Sequence, residues 1–274
     1  MMRRAAVAGT WYPGEPHALR ATVEELLAAA GPSRLDGRVV ALVSPHAGLR
    51  YSGRVAACAY AALRERPPRT VILVGPSHRA WFEGCRLIAE GAFETPLGPA
   101  VIDEATAARM LLAHPVLSED ARPHRDEHSL EMQLPFVQVV APEARIVPVL
   151  MGAQTAKTMD ALATALVAAR PDGDVVLVAS SDLSHYHAAS AAHELDRQVL
   201  DDVERFDPQA LQGRLGRQPE HACGGGPMVS VMAAARALGA GRSRVLRYAD
   251  SGDEGERDKS RVVGYLAAAF TAEP

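Results

Sequence analysis

The chain has few cysteines, few aromatic residues, no long apolar run and no surplus of positive charge. Its three cysteines, Cys58, Cys85 and Cys223, are odd in number and widely spaced among 274 residues. That pattern gives no disulfide framework and fits a reducing, cytoplasmic compartment. Phe, Trp and Tyr supply only 5% of the residues, so the core must come from small and aliphatic side chains packed closely. No apolar stretch approaches the roughly 18 residues of a membrane span, and Trp11-Tyr12-Pro13-Gly14 follows Arg3-Arg4 too soon for a secretory core. With a formal net charge of −4 the chain has no basic excess for a phosphate backbone, which excludes a nucleic-acid partner.

What is present is an alternation of short apolar runs with helical patterns. The spacing predicts helices over 16–30, 52–65, 103–113, 155–169, 188–204, 208–215 and 228–238. A further helix is predicted over 126–136, with Pro135 inside it or near its end. Strands are predicted over 39–43, 70–74, 146–150 and 175–179, and at 244–248 and 262–270. The stretch 79–100 suits a β-hairpin, and the charged loop 250–260 reads as solvated and mobile. This alternation implies an α/β fold: a central, mostly parallel or mixed sheet covered by helices on both faces. No linker or fixed-period repeat divides it, so residues 1–274 read as a single domain.

Several of these runs deliver polar residues at their carboxyl ends, where ligands gather in open α/β sheets. Val39–Val43 leads into Ser44-Pro45-His46, and Val71–Val74 into Gly75-Pro76-Ser77-His78. Each histidine either caps a turn or joins a shared metal site. Val175–Ala179 leads into Ser180-Ser181-Asp182-Leu183-Ser184-His185. Asp182 caps a helix there, or pairs with His185 across a first helical turn as an acid/base couple. His187 points elsewhere and reads as a surface residue.

Cys223 precedes Gly224-Gly225-Gly226-Pro227 at a predicted helix start, where a thiolate of low pKa and metal affinity is expected. A buried inert thiol is the alternative; the run lacks the ending of a phosphate-binding loop. Glu127-His128 and Glu131 form the last cluster, with His128 and Glu131 on one helical face, either solvent-exposed or with Glu131 holding a neighbouring histidine. His17, His114, His124 and His193 have no evident partner and read as exposed.

Six segments in order resemble the Memo family, whose bacterial and archaeal members are called AmmeMemoRadiSam system protein B. They are Ala8-Gly9-Thr10-Trp11-Tyr12-Pro13, Ser44-Pro45-His46-Ala47-Gly48, Gly75-Pro76-Ser77-His78, the run from Glu127 to Phe136, Ser180-Ser181-Asp182-Leu183-Ser184-His185, and Cys223-Gly224. The resemblance implies a fold similar to class III extradiol dioxygenases. It implies metal ligands at His46, His78 and Cys223, Asp182 and His185 as proton-handling catalytic residues, and His128, Glu131 and Tyr51 around the pocket. The cofactor it implies is a divalent metal, Fe(II) foremost, with copper and zinc as alternatives. A thiolate in place of the carboxylate of a facial triad makes catechol ring cleavage a poor expectation. Two roles follow. One is a metal-dependent oxidoreductase; the other is a non-catalytic module that binds a metal, a small molecule or a peptide and acts with radical-SAM and Amme-type partner proteins.

Overall fold

The uniformly apolar runs become the central strands of one sheet. The computed structural model describes residues 1–33, 35–168, 175–254 and 258–273. Along the chain lie β1 (Met2–Arg3), α1 (Pro16–Ala30), β2 (Arg38–Ser44), α2 (Leu49–Ala61), β3 (Thr70–Pro76), β4 (Cys85–Leu87), β5 (Ala92–Phe93) and β6 (Ala100–Val101). There follow α3 (Glu104–Ala113), β7 (Leu117–Glu119), α4 (Leu134–Val140), β8 (Arg145–Met151), α5 (Ala156–Ala168), β9 (Val175–Ser180) and β10 (Asp182–His187). The chain closes with α6 (Ala189–Glu204), α7 (Pro208–Leu215), α8 (Gly225–Ala237), β11 (Arg242–Asp250), α9 (Ser251–Glu254) and β12 (Val262–Ala272).

The main sheet has the order β10-β12-β2-β9-β3-β8-β4-β7, and β11 also pairs with β12. Strands β2, β9, β3 and β8 are mutually parallel, while β12 joins β2, and β4 joins β8, antiparallel. Every residue of β3 is buried, because helices cover both faces of the sheet. Helices α1, α2 and α4 pack together, with α2 on β2 and β12. Helices α5, α7 and α8 form a second layer, with α8 on β2, β9 and β3, and α6 continues it over β10, β11 and β12. The buried apolar side chains make one continuous core. The decisive consequence is lateral order: β9 lies between β2 and β3, so the loops after all three open at the same edge.

Four expectations change. The hairpin of 79–100 shrinks to the pairs Ala92↔Val101 and Phe93↔Ala100, beside the main sheet. The helix predicted over 126–136 starts only at Leu134, after a short 3₁₀ turn at Glu131–Gln133. Pro135 sits in its first turn, where a missing N–H costs nothing and the ring meets no preceding carbonyl. Residues 182–187 form a strand rather than a helical turn, because β12 extends past β2 and offers a free edge; β10 takes it with two register shifts. Lastly, the loop 250–260 is anchored at its start. Asp250 is fully buried and accepts hydrogen bonds from the backbones of Gly252 and Asp253, from Lys259 Nζ and from His193 Nε2. Residues 255–257 lie outside the described residues, as does the end of the helix predicted to reach 169.

Glu131 acts on neither a histidine nor solvent. Fully buried, it accepts from the backbone N–H groups of Ala6 and Val7 and from Tyr12 Oη at 2.6 Å, and it pairs with the buried Arg3. One carboxylate thus folds the N-terminal segment back over the start of α4. Removing its charge leaves the Arg3 guanidinium buried and uncompensated. Glu131→Gln is expected to cost about 3–5 kcal/mol in urea unfolding; a loss below about 1 kcal/mol would refute the anchor.

Candidate metal centre

Three histidines meet beyond the carboxyl ends of β2 and β3. A ring nitrogen from each of His46, His78 and His128 lies within 4.8 Å of the other two. Their ring centroids are 5.2 Å apart for His46 and His78, 5.5 Å for His46 and His128, and 4.8 Å for His78 and His128. His46 and His78 arrive from the loops after β2 and β3, on either side of β9, and His128 from the turn before α4.

Hydrogen bonds fix what each ring can offer. His46 Nδ1 lies 2.9 Å from Ser180 Oγ. That hydroxyl donates its one proton to the Ser129 carbonyl at 2.6 Å and accepts from Gln133 Nε2 at 2.8 Å. Having no second proton, it must accept from His46 as well, so Nδ1 carries the imidazole hydrogen and Nε2 a free lone pair. Gln133 is held in turn: its Oε1 accepts from Tyr60 Oη at 3.0 Å, and its Nε2 also donates to the Pro45 carbonyl. His78 Nδ1 lies 2.9 Å from Glu127 Oε1, and His78 N donates to Glu127 Oε2 at 2.5 Å. A carboxylate only accepts, so His78 Nδ1 carries a hydrogen and Nε2 is the nitrogen left to hold an ion. His128 Nδ1 has no hydrogen-bond partner, although Glu127 Oε1 stands 3.4 Å away. Its ring lies 4.4 Å from that of Trp11, carried there by the N-terminal segment.

Burial keeps two of these rings, His46 and His128, neutral. Burial, reinforced by the neighbouring histidines, holds His46 well below the ordinary imidazole range. Burial lowers His128 to about 4. Glu127 is also buried, yet the hydrogen bond and charge of His78 and the backbone donors outweigh that and hold its carboxyl well below the usual range. Imidazole nitrogens gathered beside an ionised carboxylate are what a divalent cation needs. The donor set therefore fits a metal ion.

The structure places Cys223 against this group without making it a member. Its Sγ lies 3.2 Å from His46 Nε2, and Asp182 N donates to it at 3.3 Å. Burial, then the nearby Asp182, raises its thiol rather than lowering it, so the thiolate expected at a helix start does not form unaided. The glycines after it serve packing. A Cβ on Gly224 would stand 2.3 Å from the Ser180 carbonyl oxygen, so only glycine lets this loop lie against the end of β9. Gln154 holds the same loop, donating to the Cys223 carbonyl and accepting from Gly226 N.

Asp182 and His185 line the same cavity, of about 810 Å³, as do Tyr51 and the three histidines. They are not hydrogen-bonded to each other. Asp182 Oδ1 accepts from His46 N at 2.7 Å, and His185 Nδ1 contacts the Leu183 carbonyl at 2.7 Å. Burial raises the Asp182 carboxyl. Glu127, Ser180, Gln133 and Trp11 had no assigned role in the sequence. The run Glu127-His128-Ser129, polar yet buried, was the available signal. Of the histidines expected on the surface, His124 is buried and contacts the Arg86 carbonyl at 3.1 Å. A second group of donors, His193, Asp250 and Asp253, is already bridged by Lys259 Nζ, whose charge takes the place of an ion.

Fold and site together define a class: α/β proteins with a mixed sheet whose parallel strands present a histidine cluster at their carboxyl edge. A family model described as Memo-like protein matches residues 3–269. The chain belongs to the Memo family. It is 37% identical over 281 residues to a MEMO1 family protein of Methanopyrus kandleri, covering 98% of this chain and 99% of that one. It is 38% identical over 274 residues to one of Methanothermobacter thermautotrophicus, covering 97% and 99%. Among solved structures, an uncharacterized protein from Escherichia coli K12 shares the fold, with a TM-score of 0.55, 17% identity, and coverage of 84% of this chain and 99% of that one. Among the described residues no helix is long and apolar enough to cross a membrane.

Glu127 holds His78 in place within the cluster. Glu127→Gln is expected to weaken Zn(II) or Fe(II) binding by about 10–100-fold in a chelator-competition titration. Unchanged affinity would show that His78 needs no orienting partner.

Proposed function

We propose that the chain binds one divalent transition-metal ion, iron(II) foremost with copper or zinc as alternatives, at His46, His78 and Cys223, with His128 as a further imidazole on the same ion. We propose further that it is a non-haem redox enzyme of a reducing cytoplasm, with residues 1–274 as one functional unit. The observation that carries this reading is the trio of buried or cavity-facing imidazoles within 4.8 Å of one another. Imidazole suits iron, copper and zinc alike, and thiolate adds affinity for softer ions. A donor set on one wall of an open cavity is the mark of a catalytic rather than a closed structural site. A bound iron ion would supply one-electron chemistry toward a substrate or O₂. The chain's own groups bind, orient and shuttle protons. Asp182, its carboxyl raised by burial, is the acid/base group at the cavity floor. His185, with Nδ1 engaged by Leu183, keeps Nε2 for exchange. The three cysteines are free, in keeping with a reducing compartment.

The size of the cavity favours a second reading. About 810 Å³ accommodates a peptide segment or a drug-sized molecule. A binding module that acts with radical-SAM and Amme-type partner proteins would use it without turnover.

Metal analysis of protein purified without chelators is expected to find about one equivalent per chain. His46→Ala and His78→Ala are expected to lose it. Cys223→Ser is expected to weaken affinity at least about tenfold; full retention would remove sulfur from the ligand set. With iron loaded anaerobically, O₂ uptake above that of the metal-free protein is expected across a panel of catechols, thiols and reductants. Equal uptake would leave the binding module.

A further inference from the structure

Among the described residues the exposed charges at the mouth of the cavity are of one sign. Arg50 stands on the first turn of α2, Arg79 follows His78, and Arg261 precedes β12; all three line the cavity and are exposed. They come from three separate parts of the chain. Asp182 is the one carboxylate among the lining residues, and it is buried and already accepts from His46 N. Among the described residues none of the three arginines makes an ion pair. Two lie instead over aromatic faces, Arg261 at 5.3 Å from the centroid of Tyr186 and Arg50 at 5.6 Å from that of Tyr51. A chain of net charge −4 thus places three arginines without an ion pair among the described residues around this opening, and a low-dielectric cleft focuses such a field.

The aromatic part of the wall is built at a cost. Tyr186 has φ 63° in the bulged strand β10, a left-handed conformation that a bulky residue adopts only when its surroundings impose it. The residue is 64% exposed, although burial elsewhere would stabilise the fold more. The strain therefore serves the rim: it holds a flat apolar face and its Arg261 partner beside the histidines. Trp11 supplies a second flat face at the same mouth.

We infer that the cavity takes a small planar organic anion, a carboxylate, whose charge is read by Arg50, Arg79 and Arg261 and whose flat body lies between Tyr186 and Trp11. The inference rests on the metal-site reading for where the reacting end of the molecule lies, and on the arginines alone for its charge.

Benzoate and benzamide, alike in shape and different in charge, provide the test. Calorimetric titration into zinc-loaded and metal-free protein is expected to show benzoate bound about tenfold more tightly than benzamide in both forms. Raising salt from about 0.05 M to 0.5 M is expected to erode the preference, because rim charges are screened. The double variant Arg50→Gln/Arg261→Gln is expected to reduce it to about threefold or less, with metal content and thermal midpoint unchanged. Equal binding of the two probes, no binding of either at millimolar concentration, or a preference untouched in the double variant would overturn the inference. A preference confined to the zinc-loaded form would place the carboxylate on the ion and would overturn the arginine assignment while leaving the metal site intact. An acidic peptide that displaces benzoate, and binds far more tightly through the same arginines, would replace the small anion with a polypeptide and also overturn it.

Discussion

Ser180 has one proton, and the Ser129 carbonyl takes it. Everything at the histidine cluster follows from that small constraint. Because the hydroxyl is spent, it can only accept from His46, and His46 must present an unprotonated Nε2 to its neighbours. Gln133 cannot relax the arrangement, since its own amide is committed to Tyr60, Pro45 and Ser180. A histidine in water divides itself between two tautomers and a cation. Here burial removes the cation and hydrogen bonding removes one tautomer. Glu127 orients His78 by accepting at its Nδ1, which leaves Nε2 facing the cluster.

The fold supplies the positions that make such fixing useful. Parallel strands β2, β9 and β3 lie side by side, so His46, Ser180 and His78 leave the sheet at one edge. The register pairs Ser44 with Ser180, which sets the loop carrying His46 beside the hydroxyl that orients it. Glycine at 224 lets the Cys223 loop approach the same strand end. Glu131, hydrogen-bonded to none of the three histidines, pins the N-terminal segment that carries Trp11 onto His128. Stability and site therefore share residues: the buried polar groups that would be costly if unpaired are paired by the contacts that orient the imidazoles.

Much of this was legible in the chain. The four central strands are uniformly apolar, and uniform apolarity is what burial on two faces requires; their placement needed no side-chain detail. The strand-end histidines His46 and His78 stood out for the same reason. What the sequence hid was tertiary. Asp182 and His185 read as a helix start because Ser-Ser-Asp is a good cap, and only the open edge of β12 turns the segment into a strand. Cys223 read as an activated thiolate because it precedes a helix, but burial and Asp182 outweigh the helix dipole. Glu131 read as a partner for histidine, while its partners lie more than a hundred residues earlier in the chain, at Arg3, Ala6, Val7 and Tyr12. No local pattern announces a contact of that separation.

The central claim is that these preset imidazoles form one coordination sphere. X-ray absorption spectroscopy on protein loaded with one equivalent of Fe(II) or Zn(II) tests it most directly. The account predicts the outer-shell multiple scattering of at least two imidazole rings, at metal–nitrogen distances of about 2.0–2.2 Å, and its collapse in His46→Ala. A spectrum fitted by oxygen and water ligands alone, unchanged by that substitution, would contradict it.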